Sequence, residues 1–240
     1  MLSVFLVGAC VSSSETREPI PKDQQAQLYL KMGSRYLEMG MLKIAKKNLE
    51  LAEEIEPDNA DVHNSLGALY ERMRMFPEAK LHYQKAVELE GDNFGAINNL
   101  GRFLCERGDF KAGIKLLKQA LLLPLNNRQW FAYTNIGRCE LGIGKKQEAE
   151  HSFRKALQIN KNYAPALFEM QKISYYSEKY MSARAFLQRY LAVARHNANT
   201  LWYAVQTERA LGNNKAAEAY EDKLFSLFPL SKQAQQLKIK

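Results

Sequence analysis

Residues 60–93 read ADVHNSLGALYERMRMFPEAKLHYQKAVELEGDN. Small and apolar residues recur in this stretch at helical spacing: Leu66-Gly67 and Tyr70, then Ala79, Tyr83 and Ala86. Moving 34 residues in either direction brings the pattern back. Upstream it is Met32-Gly33, Tyr36, Ala45, Leu49, Ala52 and Pro57. Downstream it is Leu100-Gly101, Leu104, Gly113, Leu117 and Ala120. A step of 36 then gives Ile136-Gly137, Ala149, Phe153 and Ala156. A pattern so often repeated at one period reflects an architectural unit, since amphipathicity alone sets no such period.

The unit follows the tetratricopeptide (TPR) signature, W-x2-L-G-x2-Y followed by A-x3-F and P. Its spacing recurs in Tyr29-x2-Met-Gly-x2-Tyr36, His63-x2-Leu-Gly-x2-Tyr70, Ala45-x3-Leu49, Ala79-x3-Tyr83 and Ala149-x3-Phe153. Each unit is expected to form two antiparallel helices, A and B. The small residue at Gly33 and its relatives lets helix A close on helix B, and the Ala52 position does the same from helix B. Gly40, Gly108, Gly144 and Gly212 fall at the turn between the two helices, where positive φ is commonly needed. One repeat cannot bury its own apolar face, so neighbours must stack. The reading is an all-α, right-handed TPR solenoid of about six helix-turn-helix repeats over 26–231. Four repeats are clear (26–59, 60–93, 94–129, 130–163), the third with a two-residue insertion near Leu123-Pro124-Leu125. Two degenerate repeats follow (164–197, 198–231), with Gln171, Tyr190 and Val205 where small residues are expected. Residues 232–240 form a polar C-terminal tail, itself helical.

Composition agrees with a folded chain: 46% hydrophobic and 25% charged in 240 residues. The net charge is +8, but Lys and Arg alternate with Glu and Asp, as in Glu71-Arg72 and Lys85 to Glu88. Such interleaving marks solvated helix faces rather than a nucleic-acid stripe. Cysteines number three and histidines four (His63, His82, His151, His196), all scattered, with no CxxC pair, so no metal or cofactor site is expected. Cys105 and Cys139 stand on the first helices of repeats 3 and 4, two positions out of register. With helices about 8–10 Å apart they read as buried free thiols, a conditional disulfide in an oxidising compartment being the alternative.

Catalytic patterns are missing as well. Gly142-Ile-Gly-Lys145 lacks the earlier glycine of a phosphate loop, Cys139 holding that place, and there is neither H-E-x-x-H nor G-x-S-x-G. The chain therefore reads as a non-enzymatic binding protein. By the repeat frame helix A lines the groove with three rows. The first is Leu30, Asn64, Asn98, Thr134 and Phe168; the second is Ser34, Ala68, Arg102, Arg138 and Lys172. The third includes Leu37, Glu71, Cys105, Leu141 and Tyr175. Asparagines able to clamp a peptide backbone, a short basic ladder and apolar ends suit a peptide with apolar anchors and some acid. Leu30 and Ser34 replace the Lys and Asn that a clamp for a terminal carboxylate needs.

Residues 1–9 form a short apolar run with Gly8 and Ala9 directly before Cys10. The run is too short to span a bilayer and resembles the end of a secretory signal. Leu6-Val7-Gly8-Ala9-Cys10 looks like a bacterial lipobox, which implies acylation at Cys10. No Lys or Arg precedes the run, and a chance apolar N-terminus is the alternative. Residues 10–25, with three serines and two prolines among Val11 to Gln25, read as a lipidated flexible linker. No Asp follows Cys10 directly, so the lipobox resemblance implies sorting to the outer membrane.

Lipobox, Ser/Pro linker and repeats together resemble the type IV pilus biogenesis lipoproteins, the pilotins of the PilF/PilW family. The stretch Arg209-Ala-Leu-Gly212, Ala216-Ala-Glu-Ala-Tyr220, Leu227-Phe-Pro229, Ser231 and Gln233-Ala234 adds to the likeness. The resemblance implies an outer-membrane, periplasm-facing lipoprotein, anchored through Cys10. It also implies an adaptor that binds the type IV pilus secretin and promotes its localisation and multimerisation. Neither nucleic acid nor a small-molecule substrate is expected as a partner. The alternatives are a TPR lipoprotein scaffold for cell-envelope or peptidoglycan enzymes, and a cytosolic TPR adaptor.

Overall fold

A computed structural model describes residues 21–123 and 127–238. Cys10 and the Pro124-Leu125 part of the insertion lie outside the described residues. Thirteen helices and no strand occur among them. They run α1 Lys22–Glu38, α2 Leu42–Ile55, α3 Ala60–Arg72, α4 Phe76–Leu89, α5 Phe94–Glu106, α6 Phe110–Leu121 and α7 Gln129–Gly142. Then come α8 Lys146–Ile159, α9 Ala164–Tyr176, α10 Tyr180–Leu191, α11 Ala198–Ala210, α12 Asn214–Leu227 and α13 Lys232–Lys238. Odd-numbered helices from α1 to α11 are the A helices and even-numbered ones the B helices, and each A helix packs on the B helix that follows.

The close approach within a pair is made at the frame's glycines. A Cβ on Gly33 would stand 2.6 Å from the Leu49 side chain, one on Gly67 2.6 Å from the Tyr83 ring, and one on Gly137 2.8 Å from Phe153. From the B side Ala52, Ala86, Ala120 and Ala156 are completely buried. The turns between A and B also hold. Gly40, Gly108, Gly144 and Gly212 all have positive φ, and in repeats 2 and 5 the same place is taken by Arg74 and Glu178, at φ 61° and 58°.

The core is shared between repeats rather than confined to one. Ala45, Leu49 and Ala52 of α2 pack with Val62, Leu66 and Leu69 of α3 in the next repeat. Burying one such leucine stabilises by about 2 kcal/mol, and only stacking makes that burial available. Asn59 and Asn93 start α3 and α5 by accepting backbone N–H groups with their side chains, the preferred N-cap chemistry. In repeat 5, Gln171 takes the glycine place and is fully buried.

Three sequence expectations need correction. The helical array starts at Lys22, so Lys22 to Gln25 are helix and not linker. Pro21 sets the chain direction there, its carbonyl accepts from Gln25 N–H at 2.9 Å, and Asp23 favours the positive helix N-terminus. The C-terminal tail is not merely polar. Ala234 and Leu237 of α13, three residues apart and so on one face, are buried against Leu201, Val205 and Leu224. α13 thus caps the last repeat.

The third correction concerns Cys105 and Cys139, which are joined in a disulfide with Cα atoms 5.4 Å apart. Neighbouring A helices meet through opposite sides, so residues in equal register do not face each other. Contacts between them run offset instead: Asn64 meets Asn99, one position beyond its equivalent Asn98, and Glu71 meets Arg102, three positions before Cys105. Being two positions out of register therefore brings the cysteines together. Gly113 leaves the room, since a Cβ there would lie 2.4 Å from Cys105 Sγ.

Candidate functional site

Successive A helices pack on one another, α1 on α3, α3 on α5, α5 on α7 and α9 on α11. Arg138 of α7 bonds to Glu169 of α9 across the remaining step, so the A helices share one face. The residues of the expected rows stand on these helices, and most of their polar groups are already engaged.

At the N-terminal end Leu30 and Ser34 line a 520 Å³ hollow with Gln27, Lys31, Arg35 and Glu38. Ser34 hydroxyl lies 3.4 Å from that of Ser65. Leu37 contributes its backbone carbonyl to the Arg72 guanidinium and packs against the core of repeats 1 and 2. Asparagines continue the face as cross-repeat pairs. Asn99 donates to Asn64 at 2.9 Å and Asn135 to Asn98 at 3.2 Å. An amide has four hydrogen-bonding positions, so these bonds orient the side chains and leave capacity for a ligand. A 580 Å³ cavity beside them is lined by Asn93, Phe94, Gly95, Asn98, Asn99, Asn127, Arg128 and Phe131. Thr134 does not join this face: it is buried and its hydroxyl donates to Trp130 carbonyl at 2.7 Å.

The basic ladder is present but paired. Arg102 grips Glu71 with both terminal nitrogens, 2.8 and 2.6 Å, and also meets Glu106 at 2.9 Å. Burial alone would raise the Glu71 carboxyl, but hydrogen bonding and charge from Arg102 outweigh it and hold it below the usual range. Tyr83 donates to the same carboxylate at 2.8 Å; burial, then Glu71, push its hydroxyl well above the ordinary tyrosine value. Ala68 lies in the 390 Å³ recess next to this group. Farther along, Arg138 and Lys172 share Glu169, at 3.0 and 2.8 Å. Arg102 thus meets two carboxylates, and Glu169 meets two cations, so the ladder is locally paired rather than a run of free positive charge.

At the C-terminal end the face is aromatic. Phe168 packs on Tyr190 and Tyr203, with Lys172 over its ring. Tyr175, Tyr176, Trp202 and Tyr203 form an edge-to-face cluster. Tyr176 is 62% exposed, and its hydroxyl lies 2.9 Å from that of Tyr203. Rigid amphipathic aromatics of this kind are the usual anchors of protein interfaces. Sequence reading named Phe168 and Tyr175 but missed Tyr176, Trp202 and Tyr203. The adjacent pairs Tyr175-Tyr176 and Trp202-Tyr203, in successive A helices, were the available signal. Nor are the histidines all scattered, since His63 Nδ1 lies 3.0 Å from His82 Nδ1.

Among the described residues no helix is long and apolar enough to cross a membrane. Comparison with known proteins agrees with the repeat architecture. Residues 105–228 match the family of the cilia and flagella-associated protein 70 middle TPR-like domain, and 26–59 and 60–93 match the tetratricopeptide repeat. The type IV pilus assembly protein PilF of Pseudomonas aeruginosa PAO1 is 27% identical over 98% of this chain and 94% of its own. The solved structure of Pseudomonas aeruginosa PilF superposes with a TM-score of 0.76, covering 91% of this chain and 98% of that one. PilW, described as a widely conserved type IV pilus biogenesis factor, shares the fold at 23% identity and TM-score 0.78, covering 89% of this chain and 98% of its own.

Proposed function

The chain belongs to the TPR-like repeat family and is a homologue of the type IV pilus assembly protein PilF, and from that premise we propose that it is a non-enzymatic adaptor for the type IV pilus secretin. In this reading the solenoid holds a secretin segment on its A-helix face. Acyl chains on Cys10 carry the complex to the outer membrane, periplasm-facing, and the raised local concentration promotes ring multimerisation. More than one acyl chain gives stable anchoring where a single one would be marginal.

The observation that carries the proposal is likeness to PilF along almost the full length of both chains. Two features of the molecule support it. The aromatic end of the A-helix face supplies anchors for a protein ligand. The Cys105–Cys139 bond suits an oxidising compartment such as the periplasm over the cytosol.

The test is a deletion strain complemented with the wild-type chain or with Cys10→Ser. Heat-resistant secretin multimers and the membrane fraction holding them are followed. The proposal expects multimers to be lost in the deletion and secretin to be mislocalised with Cys10→Ser. Normal multimers in the outer membrane of the deletion strain would reject the secretin as client, and co-purifying peptidoglycan hydrolases would indicate a cell-wall scaffold instead.

A further inference from the structure

Away from the A-helix face, the first two repeats bring together three side chains that the repeat pattern does not require. Glu53 lies on α2, His63 on α3 and His82 on α4. Their ligating atoms all lie within 4.8 Å of one another. His63 Nδ1 is 3.0 Å from His82 Nδ1, and the Glu53 Oε1 carboxylate oxygen is 3.7 Å from the first and 3.9 Å from the second. A point equidistant from these three atoms lies about 2.1 Å from each, the bond length of zinc to imidazole nitrogen or carboxylate oxygen.

The protonation pattern fits as well. His63 Nε2 lies 2.8 Å from the Pro57 carbonyl oxygen, which can only accept. That bond places the proton of a neutral His63 on Nε2 and leaves Nδ1 with its lone pair directed at the cluster. A backbone carbonyl that fixes the tautomer of an imidazole is the usual outer-shell partner of a metal-ligating histidine. His82 is held by the Tyr70 ring, stacked at 5.2 Å between centroids. The His63 side chain is 7% exposed, His82 15% and Glu53 32%, so ions can enter from the Glu53 side and a water can complete the coordination.

We propose that Glu53, His63 and His82 form a binding site for a first-row divalent cation of the zinc type, which staples the B helix of repeat 1 to both helices of repeat 2. Two imidazole nitrogens and one carboxylate oxygen are a borderline donor set that suits zinc over magnesium or calcium, which take oxygen ligands. Because the ligands come from three helices of two repeats, bound metal stabilises the folded chain and has no preformed site in the unfolded one.

The test uses the full chain, stripped with a chelator and titrated with zinc chloride and, separately, cobalt chloride. The proposal expects one equivalent bound, visible ligand-field absorption from cobalt, and a melting midpoint that rises with zinc. His82→Gln and Glu53→Gln, both at partly exposed side chains, are each expected to weaken binding by more than about tenfold and to abolish the zinc-dependent rise, with circular dichroism reporting that they fold. His151→Gln is expected to behave as wild type. No uptake at equimolar metal, or uptake that survives both substitutions at Glu53 and His82, would overturn the site.

Discussion

Cys105 of α5 and Cys139 of α7 are bonded across two successive repeats, their Cα atoms 5.4 Å apart and 34 residues apart in sequence. Closing a loop of that size removes freedom from the unfolded chain. The chain-entropy account gives about 3–4 kcal/mol for it. Reductant or Cys105→Ser is expected to lower the urea midpoint by a corresponding amount. A thiol titration of the unreduced protein in denaturant should show neither of these cysteines free. An unchanged midpoint on reduction would mean that the bond contributes nothing.

Arg102 and Glu71 predict a pH dependence. The Glu71 carboxyl is held below its ordinary range in the fold. Its contribution is therefore complete above the unfolded carboxylate pKa of about 4.3 and is lost as pH falls through the lower folded value. Glu71→Gln should destabilise by about 1–3 kcal/mol at neutral pH, as expected for a hydrogen bond to a charged group. The gap from wild type should close in acid. A gap that is constant from neutral to acid pH in denaturant titrations would argue against the pair.

The repeat frame is tested at Gly67. A Cβ there would stand 2.6 Å from the Tyr83 ring, and Tyr83 is fully buried. Gly67→Val should cost about 1–3 kcal/mol through overpacking, seen as a lower melting midpoint. An unaltered midpoint would undo the assigned packing of α3 on α4.

Arg74 and Glu178 hold a left-handed conformation that glycine takes in the other four turns. For a residue with a Cβ this costs about 1–2 kcal/mol, whereas a glycine returns about 0.5–1 kcal/mol to the unfolded chain. Arg74→Gly and Glu178→Gly should each stabilise by about 0.5 kcal/mol. The two sites lie in separate repeats, so the gains should add. Gly144→Ala is the matching control and should destabilise.

The fold was legible because a solenoid repeats its rules. Gly33, Gly67, Gly101 and Gly137, with their alanine partners on the B helices, reappear at steps of 34, 34 and 36 residues, and each copy confirms the others. The site was less so. The frame places Asn64, Arg102 and Arg138 on one face, but it does not say how two A helices are set against each other. That setting, offset by one position forward or by two or three back, decides that Arg102 is spent on Glu71 and that Cys105 meets Cys139. The cluster of Glu53, His63 and His82 was hidden for a related reason. Its members come from three helices and hold no equivalent places in the repeat frame, so neither motif spacing nor the frame brings them together. α13 shows a third case, in which two apolar residues, Ala234 and Leu237, in a polar segment are enough to cap an array.

The central claim is that the A-helix face holds the secretin, and direct binding tests it best. The purified chain would be titrated with the secretin of the same organism and compared with Tyr176→Ala and Arg138→Glu on that face and Arg154→Glu on α8. The account predicts binding that falls by about tenfold or more for Tyr176→Ala, as expected of an aromatic anchor, weakens with Arg138→Glu, and is unchanged by Arg154→Glu. Absence of binding, or binding lost only with Arg154→Glu, would contradict it.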